Sequence, residues 1–278
     1  MAPPPKQIYY SSSAIVSAAY CLILIMSSCL IFQLSHSSSQ GNVDEEPPAA
    51  AGSSDEVSFR PTTAFDEDLD EEERVSVSLY YESLCPYCAN FIVHKLVKLF
   101  TTDIGSIVNL RLIPWGNTQT ATTNNAAWIC QHGSDECLLN LVEACAISSW
   151  NNMEMQFRLV YCIERLHLEN RHSEWESCFS GTGLSEAPVR DCLSNGVGTF
   201  LEEAYGAETA SLNPTHRFVP WVVVNNQPLQ EDYENFESYI CRAYMGSRTP
   251  EACKQSFSSA VNMVKKTSSS PLRVCVRE

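Results

Sequence analysis

Hydrophobic and polar positions change rhythm several times along the chain, and each change marks a different kind of segment. From Ala14 to Leu34 the residues run AIVSAAYCLILIMSSCLIFQL, without a charge. From 35 to 74 large apolar side chains thin out, and Ser, Pro, Ala, Asp and Glu take over. Such a stretch cannot bury enough surface to offset the entropy of ordering it, so 37–74 reads as a disordered acidic linker. At Val75 the pattern sharpens. Val75-Ser76-Val77-Ser78-Leu79-Tyr80-Tyr81 alternates and is rich in β-formers, which predicts a strand. Phe91, Ile92, Leu96, Leu99 and Phe100 then recur at helical spacing to about Asp103, and Ile107 to Trp115 alternates again as a second strand. Strand, helix and strand in this order predict a βαβ unit, whose parallel pairing needs the helical crossover.

Residues 124–206 contain no strand-like runs, and Trp128–Asn151 and Glu154–Leu168 read as helices. A helical insertion over about 120–212 is therefore expected, ending near Asn213-Pro214. Phe218 to Val224 returns to strand, Asn225-Asn226 is a two-residue hairpin turn, and Gln227-Pro228-Leu229 begins the return strand. Tyr233 to Tyr244 reads as a last amphipathic helix. The expected organisation is an N-terminal segment 1–36, the linker 37–74, one folded domain 75–256 and a flexible tail 257–278.

Charge and cysteine content narrow the setting. The formal net charge is −15, but residues 42–74 hold twelve acidic side chains against Arg60 and Arg74, so most of it belongs to the linker. No basic patch forms, which leaves no footing for nucleic acid. Thirteen cysteines point to an oxidising compartment, because cytosolic reductants keep thiols free. The uncharged run agrees. With Lys6 before it and acidic residues after it, the chain beyond it is translocated. The run is either a signal peptide cleaved near Ser37-Ser38-Ser39 or an uncleaved signal anchor, and an anchor would be the only membrane contact. Both place residues 75–278 in the secretory pathway: secreted, or in a lysosomal or vacuolar lumen.

The candidate chemistry sits between the first strand and the first helix, in Cys85-Pro86-Tyr87-Cys88. Unpaired N–H groups and the helix dipole favour a thiolate at Cys85, so it is the expected nucleophile. Pro86 suits the first helical turn. Cys88, one turn further in, is the expected resolving thiol. Half of a zinc site is the rival reading, but there is no second C-x-x-C and no paired histidines at finger spacing. A closed structural Cys85–Cys88 bond would gain little from so short a loop. No metal and no cofactor are called for. Val219-Pro220 precedes an apolar strand, where thioredoxin-like folds carry a cis proline facing the dithiol. The alternative is a trans proline opening an edge strand. Pro86, Tyr87, Val219 and Pro220 are the candidate substrate contacts.

Residues 130–145 read Cys130-Gln131-His132-Gly133-Ser134-Asp135-Glu136-Cys137-Leu138-Leu139-Asn140-Leu141-Val142-Glu143-Ala144-Cys145. This resembles the C-Q-H-G-x-x-E-C-x-x-N-x-x-x-x-C signature of the gamma-interferon-inducible lysosomal thiol reductase family at every fixed position, over a likeness extending from about Val75 to Cys253. The resemblance implies an α/β, thioredoxin-like fold with a disulfide-braced helical insertion. It also implies reduction of protein disulfides, with Cys85 and Cys88 in the catalytic roles and a small thiol or protein reductant as electron donor. An oxidase or isomerase, a cysteine-braced binding domain without turnover, and a zinc-binding module are the alternatives. Unlike the lysosomal members, the chain has no Asn-x-Ser/Thr glycan acceptor, since Pro214 follows Asn213.

Cys130, Cys137, Cys145, Cys162, Cys178, Cys192, Cys241 and Cys253 are expected to form four structural disulfides bracing the insertion. Cys275 is left over, as a free or intermolecular thiol. His132 and Glu136 are expected to hydrogen-bond within the insertion, His94 to lie on a solvated helix face, and Trp115, Trp128 and Trp221 to be core.

Overall fold

The computed structural model describes Val57, Phe59 and residues 73–121, 128–254 and 272–277. The N-terminal segment 1–36, with Cys21 and Cys29, and most of the linker 37–74 lie outside the described residues, as does 255–271 of the tail.

A four-stranded sheet forms the frame, in the order β2-β1-β6-β7. β1 (Val75–Tyr81) and β2 (Val108–Pro114) run parallel from Val75 opposite Val108 to Tyr81 opposite Pro114. β6 (Trp221–Val224) pairs antiparallel with β1, and β7 (Gln227–Pro228) with β6. The turn between them has positive φ at both Asn225 and Asn226, the backbone a tight hairpin needs and asparagine tolerates. A βαβ unit followed, after an insertion, by an antiparallel hairpin and helix is the thioredoxin-like arrangement.

The crossover from β1 to β2 is not one uniform helix. α1 (Pro86–Phe91) passes through a π-helical turn, Ile92–Leu96, into α2 (Lys98–Thr101). In the insertion, the helix expected from Trp128 begins only at Ser134. Trp128–Ile129 is strand β4, paired with β3 (Gln119–Thr120), and Gly133 enters the helix at φ 95°. The Cys130–Cys137 disulfide ties that turn down. α3 (Ser134–Ser149), α4 (Met153–Leu168), α5 (Ser177–Thr182), α6 (Ala187–Ser194) and α7 (Val197–Ala210) follow. The last helix is likewise shorter than its periodicity predicts. A 3-10 segment Gln230–Asn235 precedes α8 (Phe236–Ala243).

Two apolar clusters form. One surrounds the sheet and joins Leu79, Ile92, Leu96, Phe100, Ile113 and Trp221 to Phe157 and Val160 of the insertion. Phe100 and Phe157 stack with centroids 4.0 Å apart. The other, including Leu139, Val142, Leu159, Ile163 and Phe179, is built from the insertion together with Leu84, the residue before Cys85. Each fully buried side chain of this size contributes about 1.5–3 kcal/mol. Phe59, inside the expected linker, packs edge-on against Tyr161 at 5.7 Å and against Phe100 and Phe157, so at least this residue adds to the first cluster. Trp115 and Trp221 are buried and Trp128 is half-buried.

The strand predicted over Phe218–Val224 splits at Pro220. Without an N–H, proline cannot continue the ladder. β5 (Phe218–Val219) therefore pairs not with the main sheet but with β8 (Cys275–Val276), near the C-terminus. Within the expected flexible tail 257–278, Cys275 and Val276 are thus ladder-paired.

Candidate redox site

The end of β1 delivers the chain into the site. Glu82 and Ser83 are buried, Leu84 takes a left-handed conformation at φ 65°, and Cys85 caps α1. A leucine in that region is uncommon, and such backbone concentrates at functional sites. Pro86 is the first helical residue. The Cys88 N–H donates to Cys85 Sγ at 3.4 Å, and both sulfurs belong to fully buried residues. Pro86 and Tyr87 between them face solvent. The Val219-Pro220 peptide is cis, and Val219 is buried.

The sequence reads Cys85 and Cys88 as a dithiol and leaves Cys275 over, and the structure joins two of these three. Cys85 is bonded not to Cys88 but to Cys275, 190 residues away, and Cys88 is unpaired. The cause is the β5–β8 ladder. It sets Cys275 opposite Val219, the residue before the cis proline, and so over Cys85. Cys275 is thus neither free nor intermolecular here. Its period-2 surroundings, Leu272-Arg273-Val274-Cys275-Val276-Arg277, were the one signal available in the sequence.

The other eight cysteines among the described residues form Cys130–Cys137, Cys145–Cys192, Cys162–Cys178 and Cys241–Cys253. The first three lie in the insertion. The fourth ties α8 to the segment after it, outside the insertion that all four were expected to brace.

Buried acid surrounds the sulfurs. Burial, then the neighbouring Glu136, push the Glu82 carboxyl up to about 8, against the pull of Asn117 and His132. Glu82 Oε2 accepts from the Asn117 N–H at 2.6 Å. Gly116 lets it approach: a Cβ there would stand 2.5 Å from Glu82, and its φ of 57° disfavours any other residue. A Glu82 oxygen and the Cys85 and Cys275 sulfurs all lie within 4.8 Å of one another. The Cys88 thiol is pushed well above its ordinary value, by burial first and by Glu82 next.

The signature segment meets the site from the other side. Glu136 accepts from the Gln131 and His132 N–H groups at 3.1 and 2.7 Å, and His132 Nδ1 lies 2.5 Å from Glu136 Oε2. That hydrogen bond raises the His132 pKa. The expected internal bonding of His132 and Glu136 is thus present, but the imidazole does more, since its Nε2 lies 3.8 Å from Cys275 Sγ. Glu82, His132 and Glu136 converge closely enough to hold a cation, yet all three are engaged in the hydrogen bonds and charge contacts just described. Glu82, Asn117, Gln131 and Tyr233 had no role assigned from sequence. Beside Tyr87, a cavity of about 260 Å³ is lined by Phe91, His94, Lys95, Tyr233 and Arg273. His94, read from sequence as a solvated helix position, is exposed and borders this cavity.

Residues 76–182 match the family model described as Gamma interferon inducible lysosomal thiol reductase (GILT). A "Gamma-interferon-responsive lysosomal thiol protein" of Arabidopsis thaliana is 36% identical over 197 residues, covering 69% of this chain and 81% of that protein. A "Gamma-interferon-inducible lysosomal thiol reductase" of Mus musculus is 34% identical over 182 residues, covering 64% of this chain and 71% of its own. Among solved structures, MdbA, a thiol-disulfide oxidoreductase from Corynebacterium diphtheriae, superposes with a TM-score of 0.44 at 12% identity, over 63% of this chain and 86% of its own.

Proposed function

The chain belongs to the gamma-interferon-inducible lysosomal thiol reductase family, and from that premise we propose that it reduces disulfide bonds of protein substrates through Cys85 as nucleophile and Cys88 as resolving thiol. It is an oxidoreductase acting on sulfur. The observation that carries the assignment of roles is the placement of the two thiols. Cys85 caps the helix and is joined through Cys275 to the strand that ends at the cis Val219-Pro220 peptide, and Cys88 lies one turn deeper, its N–H on the Cys85 sulfur.

The electrons balance in two exchanges. The Cys85 thiolate attacks one sulfur of a substrate disulfide. That bond breaks, one substrate thiolate leaves, and Cys85 is joined to the other. The Cys88 thiolate then attacks Cys85 Sγ, the second substrate thiolate leaves, and a Cys85–Cys88 disulfide holds the oxidation. A small thiol or protein reductant returns the pair to dithiol and is itself oxidised. Burial makes the Cys88 thiol hard to ionise, so its proton needs an acceptor. The Glu82 carboxyl beside the sulfurs relays that proton to the departing thiolate. Pro86, Tyr87, Val219 and Pro220 border the substrate.

The setting we infer is the lumen of the secretory pathway. Five disulfides among the described residues suit an oxidising compartment. Among the described residues no helix is long and apolar enough to cross a membrane, and the 14–34 run lies outside them.

Replacing Cys85 with Ser tests the reading directly. Insulin-disulfide reduction is expected to fall by a factor on the order of 10³ or more while circular dichroism is unchanged. Retained turnover in a folded Cys85→Ser protein sinks the assignment.

A further inference from the structure

The segment that covers Cys85 is held in a manner that describes what the groove receives. β8 lies antiparallel on β5, with Cys275 opposite Val219 and Val276 opposite Phe218, and the Arg277 N–H extends the ladder to the Arg217 carbonyl at 3.0 Å. Three carbonyls of the segment accept from side chains of the groove. Arg273 C=O accepts from Tyr233 Oη at 2.6 Å, Cys275 C=O from Asn117 Nδ2 at 3.2 Å, and Val276 C=O from Gln131 Nε2 at 2.9 Å. By contrast Leu272, Arg273 and Val276 present their side chains to solvent, Val276 at 60% exposure. The groove therefore grips backbone, one sulfur and part of Val274, and leaves the Leu272 and Val276 side chains to solvent. This is strand addition, in which main-chain bonds supply the affinity. Here side-chain selection beside the cysteine is confined to Val274, half-buried against the sheet cluster, and to Arg273, which borders the cavity near Tyr87.

We propose, resting on the reductase reading above, that Leu272–Arg277 is a tethered substrate analogue. It occupies the site that takes an extended, cysteine-bearing segment of a protein disulfide, and its Cys275 holds Cys85 in a resting mixed disulfide. Asn117, Gln131 and Tyr233 are the groups that hold a substrate backbone. The Gln131 of the signature thus acts on peptide carbonyls, and His132 faces the sulfur that has to leave.

With the strand in place, Cys85 is sealed from any protein substrate, because its residue is fully buried beneath Cys275. Release conserves electrons. The Cys88 thiolate attacks Cys85 Sγ, the Cys85–Cys275 bond breaks with its pair on Cys275, which takes up a proton, and a Cys85–Cys88 disulfide forms. A thiol reductant then opens that bond, two thiols becoming one disulfide, and the groove is free. The sequence of events repeats the second half of catalysis with the chain's own cysteine as the substrate.

The experiment uses the full chain, alkylated under acid quench and mapped by peptide mass, beside insulin reduction driven by limiting small thiol. Mapping is expected to link Cys85 to Cys275 and to find Cys88 alkylated only after denaturation. Wild type is expected to reduce insulin after a lag. Cys275→Ser should abolish the lag and raise the initial rate several-fold. A synthetic LRVCVR peptide supplied as its symmetrical disulfide should form a mixed disulfide with Cys85 of a Cys88→Ser, Cys275→Ser protein, the other peptide leaving as a free thiol. A Cys85–Cys88 link with Cys275 free in the mapped protein overturns the inference, as does an unchanged lag in Cys275→Ser. So does loss of activity in Cys275→Ser, since a cap is dispensable to turnover. In each of these cases Cys85→Ser still reports separately on the reductase reading, which fails only if that variant stays active.

Discussion

The Cys145–Cys192 bond of the insertion and the Cys85–Cys275 bond at the end of β1 are nearly equal in burial, at 0 and 7% exposure for the first pair and 0 and 8% for the second. Their neighbours differ. Cys145 and Cys192 sit among Leu139, Val142, Leu159 and Val189, and α7 presses so close that a Cβ on Gly198 would stand 2.8 Å from Cys145 Sγ. Among the described residues the unpaired thiol is Cys88, and it belongs to the other cluster. Cys85–Cys275 has that thiol beneath it, a carboxyl within 4.8 Å and an imidazole at its outer sulfur. Exposure thus says little about whether a disulfide is a brace or a reagent. An attacking thiol in reach and a route for its proton decide it.

The largest effect that tests this contrast is on stability. Replacing both Cys145 and Cys192 with Ala opens a loop spanning 47 residues. Loop-closure entropy puts the loss at about 4 kcal/mol in denaturant unfolding. Turnover per folded molecule should be unchanged. A reductase rate that drops with the brace while the fold persists would show that the two regions are not chemically separate.

Those two regions were also unequally legible in the sequence. Local signals carried most of the frame: alternation gave β1 and β2, Asn225-Asn226 gave the hairpin, and strand followed by C-x-x-C gave the position of Cys85 and Cys88. The signature at 130–145 marked the insertion, but not what its residues touch. Gln131 and His132 act on the strand at 275–276, more than 140 positions away. The partner of Cys275 is hidden from sequence for the same reason. A disulfide partner is set by which strand lies beside which, and the β5–β8 pairing follows from Pro220 breaking its own strand, which no local pattern announces. The boundaries of α3 were missed because the Cys130–Cys137 bond and Gly133 override helical propensity there. Phe59 looked like part of a linker because a single docked ring leaves no periodicity.

A second contrast is electrostatic, and its effect is smaller per unit of pH. Burial pushes Glu143 up to about 8, even though it accepts a hydrogen bond from Tyr81 Oη at 2.7 Å, and Glu82 is raised to about 8 as well. Glu164, also buried, is raised by burial and then by Glu143. A carboxyl with a raised pKa binds its proton more tightly in the fold than in the unfolded chain. Its stabilisation is complete below the ordinary value of 4.5 and is lost as pH climbs through about 8. Each such group contributes a fall of up to about 1.4 kcal/mol per pH unit. Melting temperature is therefore expected to decline between those limits, with Glu143→Gln flattening the decline. A melting curve that is level or rising over that range would contradict the protonated state of these carboxyls.

The smallest expected effect lies where the insertion docks on the sheet, and it carries the opposite sign. Arg111 on β2 grips Glu208 of α7 with both guanidinium nitrogens, at 2.9 and 2.8 Å, and Tyr80 Oη donates to the same carboxylate at 2.9 Å. Burial tends to raise Glu208, but Arg111 and Tyr80 together bring it below its usual value. Its contribution is therefore present above the ordinary carboxylate range and is lost only as pH falls through the lowered one. Half-exposed as the pair is, solvent screening limits it, and Arg111→Ala should cost at most about 1 kcal/mol. Across the range in which the buried glutamates titrate, this ion pair does not change state. Arg111→Ala should lower the whole melting curve by a few degrees without altering its slope, whereas Glu143→Gln alters the slope. If Arg111→Ala tilts the curve instead, the junction and the buried carboxyls form one coupled network rather than two independent layers.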